Sequence, residues 1–262
     1  MTTTSAQDDL RQMPLQYAKT MQLEICAANL QSARAAARAG AHSIELCSAL
    51  GAGGLTPSAG LIQAAVKAID IPVHVLIRPR EGHFVYSEAE VALMCADVAF
   101  CREAGAHGVV VGALMANGKA DDAALQALAE TAKGMELTFH RAIDVSTHSF
   151  EILKTIIGLG FVRTLTSGGA PTAWEGRGRI REMIQAFGDR ITIMPGGGIT
   201  PGNIQALAME TGAAHFHLSA KAAVETDATS LPGLAAGFEV SSEMLIRQTL
   251  NALLDQNDKL MA

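Results

Sequence analysis

Four times along this 262-residue chain a helix-like stretch stops on glycine and a short apolar run follows: at Gly40-Ala41, Gly105-Ala106, Gly160-Phe161 and Gly212-Ala213. Glycine at such a point can take the left-handed conformation that ends a helix, with no Cβ to clash. These stops mark every second unit of a longer alternation. Strand-like runs fall at residues 22–26, 43–47, 72–77, 108–112, 136–140, 163–166, 190–194 and 215–218. Helical patterns lie between them at 29–40, 58–68, 87–104, 121–133, 149–159, 174–187 and 203–210. Asn29 is placed to cap the first helix, and Ser87 with Glu90 reads as a capping box for the third. Strands in strict alternation with helices form a parallel sheet with helical crossovers. Eight such units in one chain of this size predict an α/β fold, a TIM (β/α)8 barrel with an additional C-terminal helix. An open doubly wound sheet fits less well, because no G-x-G-x-x-G follows the first strand.

The barrel is expected over residues 21–220, after a flexible polar tail at 1–20. Residues 221–240 read as a Gly/Ala/Ser/Thr-rich loop, and Ser241 or Ser242 as the cap of a final helix. The stripe Met244, Leu245, Leu250, Leu253 and Leu254 should pack that helix on the barrel or on a partner subunit. Aromatic residues are only 4% of a chain that is 49% hydrophobic, as suits a parallel-sheet core of Ala, Leu, Ile and Val. A net charge of −6 without a basic run argues against nucleic acid as a partner. No apolar run is long enough for a membrane span, and the first residues lack a signal peptide's apolar region. A cytoplasmic location is expected. The four cysteines, at 26, 47, 95 and 101, form no disulfide framework and should be thiols there. Cys95 and Cys101, six apart on one helix, are expected to be core.

In a barrel of this kind chemistry is carried at the carboxyl ends of the strands. Taking the last inward position of each strand gives Cys26, Cys47, Arg78, His140, Thr166 and Ser219. Glu24, Glu45, Thr138 and His217 lie two residues deeper. Val, Ile and Leu would fill a purely structural lumen; this one is assigned acids, bases, thiols and imidazoles. Buried carboxylates must be paired or protonated, and Arg78, His140 and Arg141 are the candidate partners of Glu24 and Glu45. His140-Arg141 followed by Asp144 sits at a strand-to-loop junction. The same groups could equally form a structural ion-pair network.

Cys26 and Cys47 could hold a soft ion such as Cu(I), or supply half of a zinc site. They could also simply pack as small buried hydrophobes. Gly196-Gly197-Gly198 and Ser219, after strands seven and eight, fall where barrels bind phosphate, with Ser167-Gly168 after strand six and Lys221 as possible contributors. Tight turns are the alternative use of those glycines. Arg78 and Arg80 could clamp an anion, unless Arg80 pairs with Glu81 or a neighbouring loop.

These stretches together resemble the CutC family of copper-homeostasis proteins. The matching segments begin with Leu23-Glu24-Ile25-Cys26, Ile44-Glu45-Leu46-Cys47, Gly53-Gly54-Leu55-Thr56-Pro57-Ser58 and Ile77-Arg78-Pro79-Arg80. They continue with Thr138-Phe139-His140-Arg141-Ala142, Leu165-Thr166-Ser167-Gly168, Met194-Pro195-Gly196-Gly197-Gly198-Ile199, Phe216-His217 and Ser219-Ala220. His83 departs from the pattern, where an acidic residue is expected. The resemblance implies a TIM barrel, a cytoplasmic location, self-association as a dimer or tetramer, and a Cu(I) site at Cys26 and Cys47. No organic cofactor is expected.

Two functions follow. One is a copper-homeostasis protein holding Cu(I) at the barrel-mouth cysteines. The other is an enzyme acting on a small anionic or phosphorylated metabolite. In that reading Glu24, Glu45 or His140 serves as acid or base and Arg78 as the charge stabiliser, with Arg141, Asp144 and His217 as further catalytic candidates. The anion would rest on Ser167, Gly168, Gly196, Gly197, Gly198 and Ser219.

Overall fold

Short strands, nearly all buried from end to end, build the centre of the molecule. The structure, a computed structural model, describes residues 21–224 and 237–254. The barrel strands are β1 (Gln22–Ala27), β2 (Ser43–Leu46), β3 (Val73–Leu76), β4 (Gly108–Val111), β5 (Glu136–Phe139), β6 (Arg163–Thr166), β7 (Thr192–Pro195) and β8 (His215–Leu218). All neighbours pair in parallel, in the order β7-β6-β5-β4-β3-β2-β1-β8. A parallel bridge from Gly196 to His217 joins the two ends, so the sheet curls into a nearly closed barrel.

Around it run α1 (Leu30–Ala39), α2 (Ala59–Ala68), α3 (Glu88–Ala104), α4 (Asp122–Thr131), α5 (Ser149–Gly158), α6 (Arg177–Phe187), α7 (Ile204–Thr211) and α8 (Glu243–Leu254). The expected caps are present. Asn29 accepts the Ser32 N–H, and Ser87 and Glu90 close a capping box. Gly40, Gly105 and Gly212 stop α1, α3 and α7 in the left-handed region. The outward face of the strands, with Leu23, Ile25, Ile44, Leu46, Val75 and Phe216, meets the helices in one continuous apolar core. A separate small cluster of Cys26, Cys47, Leu76 and Val110 packs apart from it.

Two elements differ from the sequence expectation. Helix α6 begins at Arg177 rather than Trp174, because the chain at Gly176 passes against the β6 loop; a Cβ there would sit 1.8 Å from the Ser167 carbonyl oxygen. Of the loop expected at 221–240, residues 225–236 lie outside the described residues, and the flanking segments are strands. Lys221–Val224 (β9) and Phe238–Ser241 (β10) pair antiparallel, and their small, half-exposed side chains carry little hydrophobic signal. The last helix packs on the barrel, one of the two positions expected for it: α8 lies against α7 and α1 and supplies the eighth helix of the ring. Ser242 caps it through the Leu245 N–H, Arg38 of α1 pairs with Glu243, and Ile246, Thr249 and Leu253 are its buried residues. Met244, expected in the apolar stripe, is exposed. The tail at 1–20 lies outside the described residues.

Candidate metal centre and barrel-mouth cavity

Glu24 of β1 is the most heavily partnered group in the lumen. Its Oε1 lies 3.0 Å from His217 Nδ1. Its Oε2 accepts from Ser43 Oγ at 3.1 Å and is approached to 3.1 Å by His74 Nδ1, without an aligned hydrogen bond. Arg163 stands 3.6 Å away. Parallel register explains the meeting: β1 lies between β2 and β8, so Glu24 stands opposite Ser43 on one side and His217 on the other. Burial alone would raise the Glu24 carboxyl, but the His217 hydrogen bond and the close approach of His74, with the charges of both rings, outweigh it and hold the group well below the usual carboxylate range. The two imidazoles respond in kind. Burial pushes both down, yet Glu136 and Glu24 carry His74 above its ordinary value, and Glu45 and Glu24 do the same for His217.

The partners of Glu24 are therefore His74, His217, Ser43 and Arg163, not the Arg78, His140 and Arg141 expected from sequence. His74 also reaches Glu136 at 3.0 Å, and Arg163 bonds Glu136 as well, so the network continues through the barrel floor. His74, Arg163 and Glu136 were not among the sequence candidates. Extending the face of Arg78 back by twos along β3 would have found His74. Arg163 was hidden by the phase assigned to β6: Arg163 and Leu165 face inward, and Thr166 instead bonds Asp144 in the loop.

Above Glu24 sit the thiols. Cys26 Sγ lies 3.6 Å from Cys47 Sγ and 3.8 Å from Glu45 Oε1. One ligand atom each from Cys26, Glu45 and His217 falls within 4.8 Å of the others. All are buried, and Glu45 Oε2 has no hydrogen-bond partner. The Cys47 hydrogen bond, burial and the Glu45 charge push the Cys26 thiol well up. Burial also raises Glu45, against the pull of His217. The resting centre is a protonated thiol beside a carboxyl that holds its proton more strongly than usual. Since Glu24 occupies His217 Nδ1, Nε2 is the nitrogen left for a ligand.

This centre forms the floor of a cavity of about 440 Å³, whose wall includes Arg78, Phe84, His140, Arg141, Ser219 and Lys221. Arg78 is buried, and its guanidinium donates to the main-chain oxygens of Ala52, Gly54 and Gly82. His140 Nδ1 accepts the Ala142 N–H at 3.1 Å, and its ring fills the space above Gly112, where a Cβ would come within 2.5 Å of Cε1. Burial, with the Arg78 charge, pushes His140 down to about 3.

Asp144 plays a different part from the one expected. Its carboxylate accepts the N–H groups of Ser167 and Gly169, the Thr166 hydroxyl and Arg141 Nε, while the Gly168 N–H goes to Thr166 Oγ1. The Ser167-Gly168 turn is thus already committed to an internal anion. Gly197 and Gly198, both left-handed, and Ser219 do line the cavity; the Gly196 N–H is used by the Thr166 carbonyl. Arg80 is no clamp: it pairs with Glu90 and braces the carbonyls of Glu81, His83 and Val85, and His83 is exposed. Cys101 is core and Cys95 packs at its edge.

Comparison with known proteins fits this geometry. A model described as the CutC family matches residues 21–222. The chain belongs to the CutC family. The family protein CutC of Porphyromonas gingivalis strain W83 is 49% identical over 199 residues, covering 76% of this chain and 80% of that protein. The one from Xanthomonas axonopodis pv. citri is 44% identical over 237 residues, 89% of this chain and 99% of the relative. A solved CutC from Streptococcus agalactiae, whose name refers it to copper homeostasis, superposes with a TM-score of 0.73 at 33% identity, over 76% of this chain and 98% of that one. Thiamine phosphate pyrophosphorylase from Pyrococcus furiosus, at 13% identity and a TM-score of 0.57 over 94% of this chain and 99% of that one, shares the fold alone. Among the described residues of this CutC-family chain, no helix is long and apolar enough to cross a membrane.

Proposed function

We propose that this protein serves copper homeostasis by binding Cu(I) between Cys26 and Cys47, with Glu45 and His217 as the adjoining donors. The observation that carries the reading is the 3.6 Å separation of the two sulfurs beside those side chains. Metal–thiolate bonds of about 2.3 Å, the zinc value, span such a gap without moving the backbone. Paired soft thiolates select Cu(I) over the hard cations that carboxylates alone would favour. Glu45 Oε2 is a buried acceptor with no hydrogen-bond partner among the described residues, as a cation site would leave it. Glu24 holds the His217 ring through Nδ1, the second-sphere carboxylate that metal-binding histidines commonly use.

Because the Cys26 thiol is raised, metal must displace its proton, and affinity is coupled to pH. The four free cysteines accord with a reducing compartment, so the proposal places the protein in the cytoplasm. It includes the dimer or tetramer that family membership suggests, which light scattering would check. The test of the binding reading is competition with a chromophoric Cu(I) chelator under anaerobic conditions. The expected result is about one tightly held Cu(I) per chain, lost in the Cys26→Ser/Cys47→Ser double variant. Equal retention by that variant would remove the site.

A further inference from the structure

The cavity above the thiols contains a charge that no carboxylate among the described residues answers. Arg78 is 8% exposed, its guanidinium donates to main-chain carbonyls and lies over the Phe84 ring, and among the described residues no carboxylate lies within ion-pair distance of it. Its Nε has no aligned partner. The nearby Tyr86 hydroxyl feels the Arg78 charge, but burial raises it above its ordinary value, so it offers no anion. A buried cation without a counter-anion is costly, and a bound anion would relieve it.

His140 supplies a second unanswered donor beside it. Its Nδ1 accepts the Ala142 N–H, so the ring proton sits on Nε2, which is buried and without a partner. The ring stays neutral at ordinary pH, since burial and Arg78 push it down to about 3. Phe84 holds both groups on one wall: its ring centroid lies 4.9 Å from that of His140 and 5.2 Å from Arg78 Cζ.

We propose that this cavity binds a small monocarboxylate with a largely apolar body, its carboxylate received by Arg78 and by His140 Nε2–H. Charge sets the monoanion. The other cations of the wall have carboxylate partners, Arg141 with Asp144 at 2.8 Å, Lys221 with Glu239 at 2.9 Å, and His217 with Glu24 and with Glu45 on the cavity floor. That leaves one uncompensated positive charge, enough for a carboxylate and short of a phosphate dianion. The body follows from Leu50, Leu76, Leu165, Ile199 and Leu218, which make up much of the remaining wall. A cavity of about 440 Å³ has the size of a metabolite site. The inference uses neither sulfur and stands apart from the copper reading.

The test uses the full chain labelled with 15N-histidine, titrated with phenylacetate, phenylacetamide and inorganic phosphate, followed by NMR and calorimetry. The expected result is saturable phenylacetate binding at millimolar or lower concentration that moves the His140 Nε2 resonance, about ten-fold tighter than either comparator. Cys47→Ser should retain it, whatever becomes of copper, and Arg78→Gln should weaken it about ten-fold. If Arg78→Gln does not fold, His140→Phe carries the test, with an expected loss of about five-fold from one donor. Equal binding of the amide, preference for phosphate, an unmoved His140 resonance, or no saturable binding of phenylacetate would each overturn the proposal.

Discussion

Acidification should destabilise this protein through His140 in a way that one substitution removes. The imidazole is buried, its Nδ1 is committed to the Ala142 N–H, and its pKa is pushed from 6.5 to about 3. Below pH 6.5 the unfolded chain therefore binds a proton that the folded chain refuses. Stability then falls with falling pH, by about 1.4 kcal/mol per unit, until the folded group itself titrates near 3. From pH 6.5 to 5 the loss is about 2 kcal/mol. Other groups of the site have different windows or the opposite sign. His74 and His217 are raised, so their contribution is complete below 6.5 and is lost as the pH climbs above it. Glu24 is lowered, so its contribution is present above 4.5 and lost only at stronger acidity, while the raised Glu45 opposes His140 by losing stability as pH rises. Comparing wild type with His140→Phe cancels these common effects. In urea denaturation at pH 7 and pH 5, the wild type should lose about 2 kcal/mol more than the variant between the two. Identical pH dependence in both proteins would refute the assigned burial and tautomer of His140.

Three further outcomes are expected. Apparent Cu(I) affinity should rise with pH between 6 and 8, because the raised Cys26 thiol must lose its proton; a flat profile in chelator competition would contradict the coupling. Glu24→Gln, checked for folding by circular dichroism, should weaken Cu(I) binding about 10- to 100-fold without abolishing it, since Glu24 orients His217 rather than ligating. Gly112→Ala should cost about 1–3 kcal/mol in denaturant unfolding and shift the His140 resonances, because the added methyl would overlap the ring.

The barrel was legible because glycine stops and short β-rich runs are local signals. Asn29, Gly40, Ser87 and Gly105 act through neighbours a few residues away, and each does in the structure what its local pattern implies. Long-range pairing was less legible. Which carboxylate meets which cation depends on register between strands far apart in sequence: the pattern points Glu24 to Arg78, His140 and Arg141, whereas β8 and β3 bring it His217 and His74. In β6 an inward phase taken from Thr166 hid Arg163 and misjudged the role of the threonine. The Ser167-Gly168 turn looked like an external anion cradle because its internal anion, Asp144, comes from the preceding unit of the barrel. The antiparallel pairing of β9 with β10 leaves no sequence signal because Ala222, Ala223 and their neighbours bury too little to show a period-two pattern.

Copper at the paired sulfurs is the central claim, and locating the ion tests it most directly. Crystals of the full chain grown anaerobically with Cu(I) should show an anomalous peak at the copper edge within bonding distance of both Cys26 Sγ and Cys47 Sγ, at the floor of the cavity. A peak elsewhere on the chain, or none while the two thiols remain 3.6 Å apart, would contradict it.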